Sequence, residues 1–359
     1  MRRSSSGRLR LMAVLATAGL SLVACGSNDT DTGTSGTPSS AGAAATSAAP
    51  KSDAKIGMAY DVGGRGDKSF NDSAAAGLDR AIAEFGGTKQ ELSPNASGSD
   101  RGDNLRKLAE NGFNPIIAVG FSYAETLPKV AEDFPETTFF IIDDATVEQP
   151  NVKALVFAEE QGSYLVGAAA ALKSKTGDVG FVGGVETPLL EKFEAGFVAG
   201  AKKAKPGIKT QVKYLSQPPD FSGFGSPDKG RETANGMYDA GADVVYAAAG
   251  GSGVGVFQAA KAKGAKAIGV DSDQYQSVGD ASLQPVILTS MTKRVDNAVF
   301  SALQKFNAKQ DIPAVTTFDL ASDGVGYATS GGFVDDIKPQ LDKLANQIKS
   351  GDITVPSTP

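Results

Sequence analysis

Two doubly wound α/β lobes with parallel sheets are the fold class this chain predicts, and three observations predict it. From about residue 55, short and nearly continuous apolar runs alternate with segments of helical period. Strands of that kind are buried on both faces and belong to parallel sheets covered by helices. The alternation runs through two successive series, the second beginning near residue 160, and 359 residues exceed what one hydrophobic core usually serves.

The elements follow in order. KIGMAYD is a strand, and NDSAAAGLDRAIAEF is a helix with Ala74, Leu78, Ile82 and Phe85 on the face that packs on a sheet. RGDNLRKLAENG reads as a helix, PIIAVG as a strand, SYAETLPKVAEDF as a helix, and TTFFIID and KALVFA as strands. The second series opens with EEQGSYLVGAAAALKS as a helix and DVGFVGG as a strand. LLEKFEAGFVAGAKKA is a helix stopped by Pro206 and Gly207. KTQVKYL (strand), PDKGRETANGMYDAG (helix), ADVVYAAAG (strand), GVFQAAKAKG (helix) and KAIGVD (strand) continue it. PVILTSM and TKRVDNAVFSALQKF come next, then a weaker strand near GVGYA and a last helix, FVDDIKPQLDKLANQIKSG. The expected lobes are 55–160 with 289–320, and 161–288 with 321–353.

The first 54 residues read differently. MRRSSSGRLR carries four arginines and no acid, and the apolar run LMAVLATAGLSLVA that follows has the length and flanks of an export signal, too short for a membrane span. It ends in Leu22, Val23, Ala24 and Cys25, a lipobox pattern that makes Cys25, the only cysteine, a lipid-acylated amino terminus. Residues 1–24 are thus expected to be a lipoprotein signal peptide, and the chain an exported, membrane-anchored protein. Residues 25–54 are small and polar, unable to bury enough surface to offset their ordering, and are expected to be a flexible tether.

Composition excludes several chemistries. The net charge is −6, and losing the leader's four arginines makes the remainder more acidic, which argues against nucleic acid as a partner. With no histidine anywhere, Ser-His-Asp, Cys-His and histidine-metal sites are impossible. A single cysteine permits no internal disulfide.

In open α/β sheets, ligands bind beyond the carboxyl ends of the strands. Reading off those ends gives Asp61, with Phe70 and Asn71 across the turn, then Asp143, Gly250 and Gly251, and Asp271 and Asp273. A carboxylate can accept two hydroxyl hydrogen bonds, which suits a vicinal diol. Lys293 could offset the aspartates and donate to a ligand oxygen. Phe70 in a helix-opening loop is either a staple on that helix or a platform for a flat ligand. Phe221 and Phe224, in QPPDFSGFGSPDKG, offer a second platform. GGRG and GGSGVG are glycine-rich turns without the phosphate-loop pattern, and GGSGVG shares its sheet edge with aspartates and has no arginine nearby.

DVGGRGDKSFND, GFVGGVETPLLEKFEAGFVAGAK, GADVVYAAAGGSGVGVFQAAK, AIGVDSDQ and ILTSMTKRVDNAV together resemble the motif set of the basic membrane protein family of bacterial lipoproteins. These are purine nucleoside-binding receptors of ABC importers. The resemblance spans residues 55 to about 310. It implies the type I periplasmic binding protein fold, two lobes joined by a three-stranded hinge, closing on a nucleoside. It further implies Phe70 and Phe224 stacked on the base, Asn71 and Asp61 at its edge, and Asp143, Gly250, Asp271 and Lys293 on the ribose. FGSPDKG matches the family's FxDPxKG except that Ser226-Pro227 stands for its aspartate-proline, Ser226 being the residue that differs. No catalysis, cofactor or metal is implied; the partners are the nucleoside and the permease subunits, and the receptor is expected to be a monomer. The alternatives are a receptor for a sugar or other small polar molecule acting as sensor or adhesin, and a calcium-dependent nucleoside hydrolase. The hydrolase lacks support because Asp61 and Asp67 are separated by an intervening turn with no adjacent carboxylate pair.

Overall fold

A computed structural model describes residues 51–359. The signal peptide, Cys25 and the tether up to residue 50 lie outside the described residues.

The first lobe is built by β1 (Lys55–Ala59), α1 (Phe70–Phe85), β2 (Thr88–Leu92), α2 (Arg101–Glu110), β3 (Ile116–Ala118), α3 (Leu127–Asp133), β4 (Phe139–Ile142) and β5 (Val152–Phe157). The chain then crosses to a second lobe. That lobe comprises α4 (Glu159–Lys173), β6 (Asp178–Val185), α5 (Pro188–Ala204), β7 (Lys209–Ser216), α6 (Pro227–Asp239), β8 (Val244–Ala248), α7 (Gly253–Lys263), β9 (Lys266–Asp271), α8 (Gln274–Ser277) and β10 (Ile287–Lys293). It returns for α9 (Val295–Asn307) and β11 (Val315–Phe318), and crosses again for β12 (Val325–Tyr327) and α10 (Lys338–Lys349). Two six-stranded sheets result, ordered β11-β5-β4-β3-β1-β2 and β12-β10-β9-β8-β6-β7. All pairings are parallel except β10 with β12.

Helices cover both faces of each sheet. On one face of the first, Met58, Phe140 and Ile142 pack with Ala74, Leu78 and Phe85 of α1 and Val299 of α9. On the other, Ile116, Phe139 and Ile141 pack with Leu105, Leu108, Leu127 and Val130. Each large side chain buried this way contributes about 1.5–3 kcal/mol. In the second lobe α4 and α5 approach backbone to backbone, because a Cβ at Gly167, Gly196 or Gly200 would collide with a carbonyl of the facing helix. The three crossings are tied together: the Ala158 amide donates to Phe318 O at 3.0 Å and the Arg294 amide to Gly324 O at 2.8 Å.

Two features depart from the sequence expectation. The edge strands β2 and β11 were not foreseen, since TKQEL and VTTF hold no fully buried residue and carry no continuous apolar run. Residues 289–293 were expected in the first lobe, yet β10 pairs with β9 and β12 of the second sheet. The return crossing therefore falls after Lys293, and it is α9, not the strand, that packs on α1.

Candidate functional site

The segment 61–72 shows why its composition is unusual. Gly63, Gly64, Gly66 and Lys68 all have φ between 58 and 110°, a region where glycine is free of the Cβ penalty. Asp67 organises the helix start from within that turn. Its Oδ1 accepts from the Ser69 and Asp72 amides at 2.9 and 3.1 Å, and its Oδ2 from the Asn71 amide and Asn71 Nδ2 at 2.9 and 3.0 Å. Ser69, at the position before α1, is thereby released from capping.

The carboxyl edges of both sheets face one cleft, and the eight residues singled out as ligand contacts come together there. Asp61, Phe70, Asn71, Asp143, Phe224, Gly250, Asp271 and Lys293 all line one cavity, about 610 Å³ with its open mouth included. Asp61 is locked on its protein side: Oδ1 accepts from Arg101 Nη2 at 2.6 Å and from the Val62 amide at 2.7 Å, and the Asp61 amide donates to Asn71 Oδ1 at 3.0 Å. Burial raises the Asp61 carboxyl above its usual range, and Arg101 opposes that.

Asp143 and Asp271 end equivalent strands in the two lobes, with φ of 71° and 64°. A non-glycine residue held there costs about 1–3 kcal/mol and turns its carboxylate off the strand direction into the cleft. Asp271 Oδ2 accepts from Ser69 Oγ at 2.6 Å, a bond between lobes. Asp143 Oδ2 accepts from Lys293 Nζ at 2.6 Å, while its Oδ1 is buried without a partner. Burial pushes Asp143 up to about 7, against the pull of Lys293 and with help from Glu159. It pushes Asp271 up to about 6, against Lys293 and Ser69. Lys293, 2% exposed, is pulled down by burial but raised overall by Asp143, Glu159 and Asp271, so it remains a cation. Its Nζ also stands 5.1 Å from the Phe70 ring centre.

Of the two candidate platforms in 217–226, Phe224 reaches the cavity. It rests on β6 where Gly184 leaves room, since a Cβ there would come within 2.6 Å of Phe224 Cε1. Ser252 Oγ fastens the loop, donating to Gly223 O at 2.7 Å and accepting from the Ser226 amide at 2.7 Å. Phe221 instead crosses to the first lobe, its ring 6.1 Å from that of Phe121 and 5.8 Å from Arg101. The cleft is further closed at Lys68 O, which accepts from Ser272 Oγ, Gln274 Nε2 and Ser277 Oγ at 3.0, 3.1 and 3.3 Å.

Asp273, expected at the same edge, stays outside the cavity and accepts from Ser330 Oγ at 2.5 Å. Sequence reasoning missed the apolar wall of Leu189, Leu190 and Phe193, where α5 opens behind the cap of Thr187. It also missed Arg101 and Glu159, the buried partners of Asp61 and Lys293. Asp67 was legible as an acid four residues ahead of Asn71; Glu159 carried no local signal. Among the described residues, no group of three or more His, Cys, Asp and Glu could hold a metal ion.

Comparison with known proteins agrees with this architecture. The family model described as ABC transporter substrate-binding protein, PnrA-like, matches residues 54–359. The chain is 33% identical to a CD4+ T-cell-stimulating antigen of Listeria innocua, over 97% of this chain and 98% of that one. It is 34% identical to the ABC transporter nucleoside-binding protein BmpA of Lactococcus lactis, over 88% and 92%. The crystal structure of an ABC transporter solute-binding protein of Aeropyrum pernix superposes with a TM-score of 0.73 at 29% identity, covering 84% of this chain and 92% of that one. The family model and the lactococcal and Aeropyrum relatives are described as binding proteins of ABC transporters, which sets the hydrolase alternative aside. The chain belongs to the Bmp family of PnrA-like ABC transporter substrate-binding proteins, with the two-lobed type I periplasmic binding fold.

Proposed function

We propose that this chain is anchored by a lipid on Cys25 at the extracytoplasmic face of the membrane, captures a purine nucleoside between its lobes, and delivers it to the permease of an ABC importer. The observation that carries the reading is the convergence of polar strand ends from both sheets and one aromatic ring from each lobe, Phe70 and Phe224, on a single cavity. A flat base fits between two rings, each worth about 1–3 kcal/mol by stacking. Asn71 and Asp61 serve the base edge. The ribose diol donates to Asp143 and Asp271, each charge-assisted bond being worth about 1.5–3 kcal/mol. Lys293 and the Gly250 turn complete the sugar side.

The lactococcal relative's name supports the same ligand class. The electrostatics support an uncharged ligand, because Asp143, Glu159 and Asp271 surround one buried ammonium and Asp67 stands beside Asp271. Calorimetric titration with inosine, free ribose and inosine monophosphate tests the reading. Inosine is expected to bind, ribose to bind at least tenfold more weakly for want of stacking, and the monophosphate to be rejected. Equal affinity for ribose and inosine would make this a sugar receptor instead.

A further inference from the structure

Glu159 opens α4 directly after the first crossing, is 0% exposed, and does not line the cavity. Its Oε1 lies 3.2 Å from Lys293 Nζ and its Oε2 lies 3.5 Å from Lys192 Nζ of α5, and neither oxygen accepts a well-formed hydrogen bond. Lys293 ends β10 at the return crossing, and its other partner, Asp143, belongs to the first lobe. One ammonium thus joins both crossings to the ligand-facing carboxylate. Asp143 alone would neutralise it, so a second buried carboxylate is costly unless it serves a purpose.

We infer that Glu159 is a positioning residue: it fixes the Lys293 ammonium where the crossings meet and, by competing with Asp143 for that single cation, governs whether Asp143 carries its charge. The inference rests on the reading above that the ligand enters this cavity and donates to Asp143. The groups facing Asp143 are Lys293 from β10, Glu159 from α4 and Asp271 from β9. Asp67 stands beside Asp271, Lys192 and Glu160 flank Glu159, and the buried Tyr246 hydroxyl on β8 feels both Asp271 and Glu159. Burial holds the Asp143 carboxyl near 7, with Lys293 lowering it and Glu159 raising it. A neutral Asp143 keeps only part of its accepting capacity, so nucleoside affinity must fall as it protonates.

The test compares the wild type with Glu159→Gln and Glu159→Asp in inosine titrations from pH 8.5 to 5.5. Alongside, the carboxyl carbons of the ligand-free proteins are followed by NMR, with Asp143→Asn identifying the Asp143 signal. In the wild type, affinity should fall by up to about tenfold between pH 8 and 6 through Asp143, with Asp271, raised to about 6, adding to the fall toward the acid end. Glu159→Gln should move the inflection, and the Asp143 signal, at least one pH unit lower, while Glu159→Asp keeps both close to the wild type. A merely structural role would weaken binding evenly at all pH values. Should Glu159→Gln not fold, Lys192→Gln tests the competition with opposite sign: Glu159 leans harder on Lys293, and the inflection moves up. An Asp143 signal unmoved in Glu159→Gln, or unmoved in Lys192→Gln, overturns the inference. If inosine binds no variant, the nucleoside reading fails, while the ligand-free Asp143 signal still decides the role of Glu159.

Discussion

Replacing Lys293 by methionine removes a cation that two buried carboxylates share. In the native cleft its Nζ lies 2.6 Å from Asp143 and 3.2 Å from Glu159, with every partner at most 4% exposed at the side chain. Breaking such a pair leaves an uncompensated buried charge, which costs about 3–5 kcal/mol. That is a large share of the about 5–15 kcal/mol that a folded protein holds in reserve. The loss must depend on pH. Asp143 already sits near 7 with Lys293 present, far above an unfolded aspartate at about 3.9. Without the cation it rises further. A carboxyl raised in the folded state gives stability that is present below the unfolded value and lost as pH climbs through the folded one. Lys293→Met should therefore be hurt most at pH 8 and recover by about 1.4 kcal/mol per pH unit as the site protonates. Urea unfolding followed by circular dichroism at pH 8 and 5.5 measures this, and Lys293→Met with Asp143→Asn should restore much of the loss at pH 8. Equal stability of Lys293→Met and wild type at pH 8, or a loss as large at pH 5.5, would refute the buried charge cluster.

Further outcomes follow from the same geometry. Phe70→Ala and Asp271→Ala should each weaken nucleoside binding at least tenfold, about 1.4 kcal/mol or more, with the fold intact; calorimetry beside circular dichroism checks both. Gly184→Ala should push the Phe224 ring into the cavity and weaken binding although Gly184 does not itself line the cavity, because the new Cβ would stand 2.6 Å from Phe224 Cε1. Its binding constant and melting temperature together separate this from general destabilisation. In the ligand-free protein, Asp143→Asn should lose less melting temperature than the wild type between pH 5 and 8, since the native carboxyl surrenders its contribution as pH rises through about 7. Phe221→Ala should speed release of bound nucleoside in stopped-flow displacement, since that ring closes the cleft against Phe121 and Arg101.

The buried strands were legible because an inner strand of a parallel sheet must be apolar on both faces, as FFII, VVYAA and KAIGVD are. The edges were not: TKQEL and VTTF satisfy their backbone by pairing on one side and need no apolar run. The cleft-lining residues could be read from the ends of strands, since chain direction alone decides which end faces the cleft. Their buried partners could not. Arg101 lies 40 residues from Asp61, and Lys293 lies 150 from Asp143. Only tertiary packing makes those pairs, and a glutamate at a helix start such as Glu159 reads equally well as a favourable dipole partner. Phe221 and Phe224 share one local pattern, and the packing of Phe224 against Gly184 is what separates their places.

The most direct test of the central claim is a crystal structure of the protein grown with inosine. The base should lie between Phe70 and Phe224 with its edge toward Asp61 and Asn71, and the ribose hydroxyls should lie within hydrogen-bond distance of Asp143 and Asp271. Inosine bound elsewhere, or a cleft occupied with the ribose turned away from both carboxylates, would contradict it.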